Sequence, residues 1–529
     1  MLNRISLRMS SLLIFCVCAV SSESSYSQIT QNLIIGNAKA MALANAVTAD
    51  PPGIDSIHFN PAGLSQLEFK HRYYEVNVIT VPHLKIKARA NTPRELLNAG
   101  IRSADPVADK DFEGNSQSYI PGIGRIESNG PTIFPRGGIS YRFLDNSRWT
   151  FGTATYATMM FGNKRPSDDP GAFSSRDIGI GRVTLISPSF AYQFNDHWAI
   201  GASLVVSSMG IGLGIDMRFP FLDLPDFSVN GERVTINDLF DALCTERNSI
   251  CQKGDEDIPF YSKLFSADLE VEKHLSTTLN LGLLWQPNQW FTWGLAYQGG
   301  ADDTLKGRFT MTYDPAFAEF LRNNPIIRGD APPLNSSNSE SGQVEVSIPI
   351  PLHLSTGVSV QVTPKFKMNL DYKFTQFSIW DSWLIQFKDP IQLTRILDLA
   401  GSESPSNSLP YSRGYRDGTS VAVGLEYQWR DNILLRGGVE DRPSVIPPEV
   451  ADFSIPIADT TLYGIGMEYR HDNNTVFEFA LSYMKSENYI PAESSTANSR
   501  YELFAQYPSL DLENSLEVVQ FILAWKKEL

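Results

Sequence analysis

Apolar residues alternate strictly with small or polar residues in several stretches along the chain. One stretch runs from Val421 to Trp429, and the alternation resumes from Ile433 to Val439 after a turn at Asp431 and Asn432. Another pair flanks the turn at Asp472 to Asn474. Because successive side chains of a strand point to opposite faces, the pattern predicts β-strands with one apolar and one small or polar face.

Turn spacing and aromatic residues distinguish a membrane barrel from a soluble β-sandwich, which would also alternate. Aromatic residues recur beside short turns, and short turns alternate with long connections, as in outer-membrane barrels. The six short turns lie near Asn146, Asp196, Pro287, Pro364, Asp431 and Asn473. Each turn joins two strands, and further strands are expected from Phe69 to about Lys85 and from Leu516 to Trp525. The pattern therefore predicts a transmembrane β-barrel of fourteen antiparallel strands.

Composition and charge exclude two classes of protein. Hydrophobic residues make up 42% of the 529 residues, but no internal run reaches the roughly eighteen apolar residues of a membrane-spanning helix. A helical membrane protein is therefore excluded. The formal net charge of −15 excludes nucleic acid as a partner, because such partners require basic surfaces.

The N-terminus has the layout of a secretory signal peptide. Arg4 and Arg8 precede an apolar run from Leu12 to Val20, and small residues follow. Cleavage is expected after Ala19 or Ser27, so residues 1–27 are assigned to the signal peptide. A buried strand is the alternative interpretation of this run.

Two cysteines remain beyond the signal peptide. Cys244 and Cys251 lie in one polar stretch, where an oxidising compartment favours a small loop disulfide. Two unpaired buried thiols are the alternative. No cluster of histidines accompanies them, so neither a metal site nor a cofactor is expected.

A non-alternating segment precedes the first strand. It contains Gly36, Asp50 and the tripeptide Asn60-Pro61-Ala62. This segment resembles the N-terminal hatch of the FadL/TodX-type long-chain fatty acid transporters, whose hallmark is Asn-Pro-Ala after a small-residue segment. The resemblance implies a plug over residues 28–67, with those five residues in gating, and a barrel over residues 68–529.

The C-terminal half is similar to the same family. The similar stretches are Ile348 to Pro351, Leu370 to Lys373, Phe377 to Trp380, Asp417 to Tyr427, Leu435 to Gly438 and Asp459 to Tyr469. Family members are fourteen-stranded barrels plugged by the hatch, in agreement with the strand count. In the family, strand three is kinked and leaves a gap in the wall beside the hatch. A proline common near that kink is missing from Met159 to Gly162, so this cause of a strand break is absent there.

The resemblance implies ligand-gated passive diffusion of long-chain fatty acids or similar apolar molecules through a bacterial outer membrane. A landing groove is expected on two long loops, the third running from about Asp216 to Val271, although the same residues could form the loops' own cores. The groove candidates are Phe219, Phe221, Leu224, Phe227, Leu239, Phe240, Phe317, Phe320 and Leu321. Arg436 is predicted to face the lumen, where it either pairs with a ligand carboxylate or stabilises the interior.

Other functions on the same architecture are weighed against transport. An enzyme is not expected, because none of the scattered histidines belongs to a nucleophile-and-base motif. A diffusion porin would usually lack the hatch. Two alternatives stay open: an aromatic hydrocarbon channel, and a surface-binding barrel such as an adhesin or phage receptor. A monomer in contact with outer-membrane lipid and lipopolysaccharide is expected.

Overall fold

Most of the described chain consists of antiparallel strands joined into one closed sheet. The computed structural model describes residues 36–67, 72–80, 83–127, 133–142, 147–166, 169, 171–218, 261–323, 331–399, 407–455, 457–500, 502 and 505–528. The expected signal peptide and both cysteines lie outside these residues. No helix within these ranges is long and apolar enough to cross a membrane.

The elements have the following bounds. The strands are β1 (Arg72–Thr80), β2 (His83–Asn91), β3 (Lys110–Ile120), β4 (Gly124–Glu127), β5 (Ile133–Tyr141), β6 (Trp149–Lys164), β7 (Asp177–Ile186), β8 (Ser189–Gln193), β9 (Trp198–Met217), β10 (Phe265–Asn288), β11 (Phe291–Gln298), β12 (Ala301–Tyr313), β13 (Ser339–Ile350), β14 (His353–Thr363), β15 (Phe366–Thr375), β16 (Ser382–Phe387), β17 (Ser408–Ser412), β18 (Gly418–Arg430), β19 (Ile433–Arg442), β20 (Thr460–Arg470), β21 (Thr475–Ile490) and β22 (Asp511–Glu528). The helices are α1 (Ala38–Ala42), α2 (Ser56–Phe59), α3 (Arg94–Asn98), α4 (Ala172–Ser175), α5 (Pro315–Asn323) and α6 (Gln392–Leu399), with 3₁₀ turns at Gly53–Asp55, Pro61–Gln66, Phe377–Ile379 and Pro448–Val450.

These strands form a wall of fourteen, as the turn count predicts. Some elements each form one complete wall strand, namely β6, β9, β10, β19, β20, β21 and β22. The others are interrupted and form wall strands as β1 with β2, β3 with β5, β7 with β8, β11 with β12, β13 with β14, β15 with β16, and β17 with β18. β22 pairs with both β1 and β2, which closes the ring.

The predicted short turns near Asp196, Pro364, Asp431 and Asn473 separate neighbouring wall strands, and Asn146 lies outside the described residues. The turn expected near Pro287 lies slightly later, because β10 continues to Asn288. The closing strand also continues past Trp525, and Glu528 still pairs with Tyr73 on β1. Residues after the last aromatic therefore extend the wall rather than leave it.

Alternation along β18 separates the lipid-facing surface from the interior. Leu425, Tyr427 and Trp429 are exposed, whereas Ala422 and Glu426 are buried. Five exposed tryptophans lie near the barrel end that carries the short turns. They are Trp149, Trp198, Trp290, Trp429 and Trp525. This matches the interfacial aromatic belt of outer-membrane barrels.

Several wall strands are longer than a membrane requires. β9 has 20 residues and β10 has 24, whereas a membrane strand needs about 9–11. Both therefore extend beyond the membrane at the end that carries the long loops. Because β10 already begins at Phe265, the third loop ends earlier than the expected position near Val271.

Candidate functional site in the barrel interior

The N-terminal segment (residues 36–67) is largely buried and contacts strands around the ring. Nδ2 of Asn37 donates to Glu75 on β1 at 3.2 Å, and Nδ2 of Asn45 donates to Glu440 on β19 at 3.1 Å. Ile57 lies against Gly152 on β6. A segment that contacts such widely separated strands of a closed ring lies inside that ring. Its helices are too short to be stable alone, so these contacts hold them.

The Asn60-Pro61-Ala62 motif connects two parts of the N-terminal segment with the wall. Nδ2 of Asn60 donates to the Thr48 carbonyl at 2.8 Å and to the Leu283 carbonyl on β10 at 3.2 Å. Its Oδ1 accepts from the Ala62 amide at 3.2 Å and thereby caps the following 3₁₀ turn. Pro61 occupies the first position of that turn, where a missing amide hydrogen costs nothing. The motif therefore links two parts of the N-terminal segment to each other and to β10.

Two wall glycines permit the close approach of this motif. A β-carbon at Gly282 would lie 2.1 Å from Oδ1 of Asn60, and one at Gly201 would lie 2.2 Å from the carbonyl carbon of Pro61. Any side chain at these positions would displace the motif. Close backbone approach is a common reason for glycine in a strand.

Gly36 and Asp50, the other predicted gating residues, lie within the same segment. Gly36 has a φ of 75°, which favours glycine, and it lines a cavity of about 20 Å3. Asp50 pairs with Lys39 at 2.8 Å and with Lys367 on β15 at 2.6 Å. Burial alone would raise the pKa of the Asp50 carboxyl, but Lys367 and Lys39 lower it well below its usual value. Asp50 is therefore an ionised link between segment and wall.

Two acidic wall residues that the sequence reasoning missed also bind the N-terminal segment. Oδ2 of Asp371 accepts hydrogen bonds from the amides of Val47 and Thr48, both at 2.8 Å, and from Oγ1 of Thr48 at 2.7 Å. Glu440, which binds Asn45, also pairs with Lys373 at 2.9 Å and Arg442 at 3.1 Å. The available signal was their position on the inward face of strongly alternating strands.

Arg436 faces the lumen, where it binds protein carboxylates. Its guanidinium lies 3.2 Å from Glu426 and 2.8 Å from Glu478, and it also contacts Glu468. Glu478 pairs in addition with Lys526 at 2.6 Å. A ligand carboxylate at Arg436 would therefore compete with three acids already in place.

His58, next to the motif, is buried in a polar and aromatic environment. Nε2 of Gln298 donates to the His58 carbonyl at 2.8 Å, and the ring lies 5.3 Å from that of Tyr156. Burial, assisted by the positive charge of Arg182, lowers the pKa of His58 to about 3. His58 is therefore neutral at physiological pH.

This pKa makes the stability of the fold depend on pH. In the unfolded chain, His58 gains a proton near pH 6.5, whereas the folded protein excludes that proton until about pH 3. Stability is therefore lost as the pH falls from 6.5 towards 3. Between roughly pH 7 and pH 4.5, His58 should lower the free energy of unfolding, measured in urea, by about 2–3 kcal/mol. His58→Gln should lack this part of the pH dependence; identical profiles for variant and wild type would contradict it.

The wall is interrupted beside the N-terminal segment. Thr155 on β6 pairs with Gly137 on β5, and Asn163 pairs with Ser116 on β3. Between them, from Tyr156 to Gly162, β6 has no strand partner on this side among the residues that the structure describes. Its pairing with β7 also shifts register between Ala157 and Met159, which identifies a bulge at Thr158. A bulge of this kind bends a strand.

The gap beside β6 arises because the end of β3 pairs with β4 instead of with β6. β3 leaves the wall after Ser116 and pairs with β4 from Gln117 onwards. Tyr119 then covers Gly210 on the outer face of β9, and its hydroxyl donates to Glu272 at 2.8 Å. The hairpin therefore lies on the outside of the barrel.

The candidate groove residues fall into two groups. Phe317, Phe320 and Leu321 lie on α5, and all three are buried in a core that includes Phe265 and Tyr313. They thus contribute to a core beneath the loops. The candidates outside the described residues are Phe219, Phe221, Leu224, Phe227, Leu239 and Phe240.

Fold and interior define the class of protein: a closed, fourteen-stranded outer-membrane barrel with a polar, ion-paired lumen. A family model described as outer membrane protein transport protein (OMPP1/FadL/TodX) matches residues 16–519. The chain belongs to this family, which places it in the bacterial outer membrane. Members of the family are transport channels.

Curated relatives are similar to part of the chain. The 47 kDa outer membrane protein of Pasteurella multocida (strain Pm70) is 24% identical over 234 residues, 43% of this chain and 49% of that protein. The long-chain fatty acid transport protein of Escherichia coli (strain K12) is 23% identical over 209 residues, 40% of this chain and 42% of that protein. The matches thus span less than half of these relatives.

Two solved structures share the fold over nearly the whole chain. A Pseudomonas aeruginosa FadL homologue has a TM-score of 0.63 at 16% identity, covering 96% of this chain and 100% of that one. The P. putida toluene transporter TodX has a TM-score of 0.59 at 13% identity, covering 95% and 99%. At such identities the likeness concerns the fold alone.

Proposed function

We propose that the protein carries long-chain fatty acids or related hydrophobic molecules inward across the outer membrane by ligand-gated passive diffusion. The N-terminal segment is the gate, and the interruption beside β6 is the exit. The observation that carries the proposal is their adjacency: Tyr156, where the unpaired edge of β6 begins, packs against His58 of the segment. The scheme needs no catalytic step and no cofactor.

An apolar part of the inner wall would receive the ligand on the extracellular side of the N-terminal segment. This apolar lining consists of Ile178, Ile180, Met209, Ile211, Val271 and Leu305. Burial of an acyl chain against it would gain about 25 cal/mol for each Å2 removed from water. A water-filled pore offers an apolar solute no such gain. The landing groove on the loops remains part of the proposal.

Gating would act through the hydrogen bonds of Asn60. A ligand that displaces Asn60 breaks its bond to the Leu283 carbonyl of β10 and its bond to the Thr48 carbonyl within the segment. The salt bridges of Asp50 and the bonds to Asp371 can hold the rest in place. The opened path leads to the edge of β6, where the ligand would leave sideways into the membrane.

Uptake assays test this function. Cells that lack their own transporter of this kind would express the chain and be supplied with radiolabelled oleate or toluene. Oleate uptake should exceed that of cells without the chain, and an Asn60→Ala, Pro61→Ala variant with equal surface expression should lose most of it. Uptake of neither compound by an assembled barrel would overturn transport and favour a surface-binding role.

Deletion of Thr158 tests the exit. Without the bulge residue, Ala157 and Met159 become consecutive, which restores regular alternation on β6 and removes the cause of its bend. Oleate uptake should fall several-fold, while heat-dependent gel mobility still reports a folded barrel. Deletion of exposed Asn473 in the short turn between β20 and β21 serves as a length-matched control. Unchanged uptake after loss of Thr158 would exclude this route.

An aromatic hydrocarbon substrate is the second candidate. The fold is shared with a structure described as a toluene transporter, and the apolar lining would accept a neutral ring as well as an acyl chain. If the same cells take up toluene but not oleate, the substrate is an aromatic hydrocarbon.

A further inference from the structure

The β3–β4 hairpin carries an exposed apolar residue at its tip. Ile123 lies in the turn between the two strands, flanked by Gly122 and Gly124, whose φ angles are 82° and 99°. Ile123 is 73% exposed, and Leu275 on β10 is 66% exposed. No other large hydrophobic residue in the described part of the chain is as exposed as these two. Such residues are costly in water and favourable in a lipid leaflet, so their height on the wall matters.

The hairpin is fixed to the outer face of the wall beside this tip. The Tyr119 hydroxyl and the Gly122 amide both donate to the Glu272 carboxylate on β10, at 2.8 Å and 2.9 Å. Nε of Arg125 donates to Glu270 on the same strand at 3.1 Å. Because these bonds involve both sides of the turn, the tip is held at the height of Glu272.

The outward residues of β10 change from charged to apolar at this height. Towards the long loops, Glu270 and Glu272 face outward and alternate with buried residues. Towards the short turns, the exposed outward residues are apolar and include Leu279 and Leu281. Leu275 lies between the two groups, where a bulge shifts the register of β10 against β9. An outer-membrane barrel is apolar only where it contacts lipid, so the membrane boundary lies between Glu272 and Leu279.

We propose that the hairpin tip, formed by Pro121 and Ile123, inserts together with Leu275 into the outer leaflet of the membrane and binds its acyl chains. This surface continues the lipid-facing wall, whose exposed leucines extend up to Leu275. Glu272 holds the turn at the membrane boundary, and the leaflet removes the apolar side chains from water. The inference does not depend on which molecule the barrel transports.

The hairpin also covers the interrupted stretch of β6 from outside. Ile120, at the end of β3, packs against Ala157 and Met160, which both belong to this stretch. A hairpin that is anchored in the outer leaflet therefore lies between that leaflet and the interrupted strand. Acyl chains of the outer leaflet are thereby kept away from this part of the wall.

A spin label at the tip tests the insertion. Serine would replace the four natural cysteines, and the label would be attached to Ile123→Cys in protein refolded into phosphatidylcholine vesicles. Electron paramagnetic resonance would compare collisions with oxygen, which concentrates in hydrocarbon, and with a water-soluble nickel chelate. The label should favour oxygen several-fold, as should one on Leu279→Cys in the lipid-facing wall. A label on Glu127→Cys, exposed at the other end of β4, should favour the chelate.

Glu272→Ala tests whether the wall sets the height of the tip. The variant removes the acceptor for both Tyr119 and Gly122, so the label at position 123 should become more mobile and lose part of its preference for oxygen. Glu345→Ala, which removes an exposed carboxylate from β13, is the control and should leave the spectrum unchanged. Equal spectra for the two variants would overturn the anchoring by Glu272.

Two results would overturn the insertion itself. A label at position 123 that favours the chelate, as the label at position 127 should, would place the tip in water. Protection of this label from both reagents would indicate a protein partner in place of acyl chains. Neither result bears on oleate uptake, which tests the proposed transport separately.

Discussion

Gly282→Val should release the Asn60-Pro61-Ala62 motif from β10 without preventing barrel assembly. A β-carbon at this position would lie 2.1 Å from Oδ1 of Asn60 and 2.9 Å from the Ala62 amide nitrogen, so the motif must move. Overpacking and the lost hydrogen bonds of Asn60 together amount to about 3 kcal/mol. Such a change raises the population of the detached state roughly 100-fold. Ion conductance in planar bilayers and protease cleavage near Asn60 should both increase.

Gly437→Val is the matched control for this experiment. Gly437 lies on β19, away from Gly282, and an added β-carbon there meets only the Gly464 carbonyl oxygen at 4.0 Å. This variant should keep wild-type conductance. If Gly282→Val behaves like Gly437→Val, the N-terminal segment is not held by the contact between Asn60 and β10.

Glu440→Gln should destabilise the folded protein strongly. Its carboxylate pairs with Lys373 and Arg442 and accepts a hydrogen bond from Asn45, and all of these side chains are buried. Removal of one partner leaves buried charge uncompensated, which typically costs about 3–5 kcal/mol. Urea unfolding of the protein refolded into lipid vesicles would measure the loss.

The Lys306–Glu345 pair provides the comparison. Its atoms are 2.6 Å apart, slightly closer than those of Lys373 and Glu440, but its side chains are 69% and 45% exposed. Glu345→Gln should therefore cost less than about 1 kcal/mol. Equal losses in the two variants would show that burial of the Glu440 network contributes nothing to stability.

Much of the barrel could be predicted because its signals are local. The turn at Asp431 and the alternation that ends at Trp429 depend on neighbouring residues only, and strand number followed from counting such turns. Wall interruptions were not predicted: Gly299 and Gly300 divide a wall strand, and β3 leaves the wall entirely. These breaks depend on what the partner strands and the hairpin contact.

The candidate site was only partly predictable. The Asn60-Pro61-Ala62 motif was recognised through family resemblance, and the lumen orientation of Arg436 followed from alternation. Its ion-pair partners Glu426, Glu468 and Glu478 were not predicted, because they lie on three different strands, β18, β20 and β21. Asp371 and Glu440 were missed because their partners lie more than 300 residues away in the chain.

By itself the sequence determined that this is an exported, fourteen-stranded barrel with an unusual segment before its first strand. Alternation with a period of two and turn-forming residues are properties of adjacent residues, so they can be recognised without knowledge of the fold. The tertiary structure alone decided which inward charges meet, because that depends on register between distant strands. It thereby surrounded Arg436 with carboxylates, left Nε of Arg182 without a hydrogen-bond partner among the described residues, and placed the break in the wall beside His58.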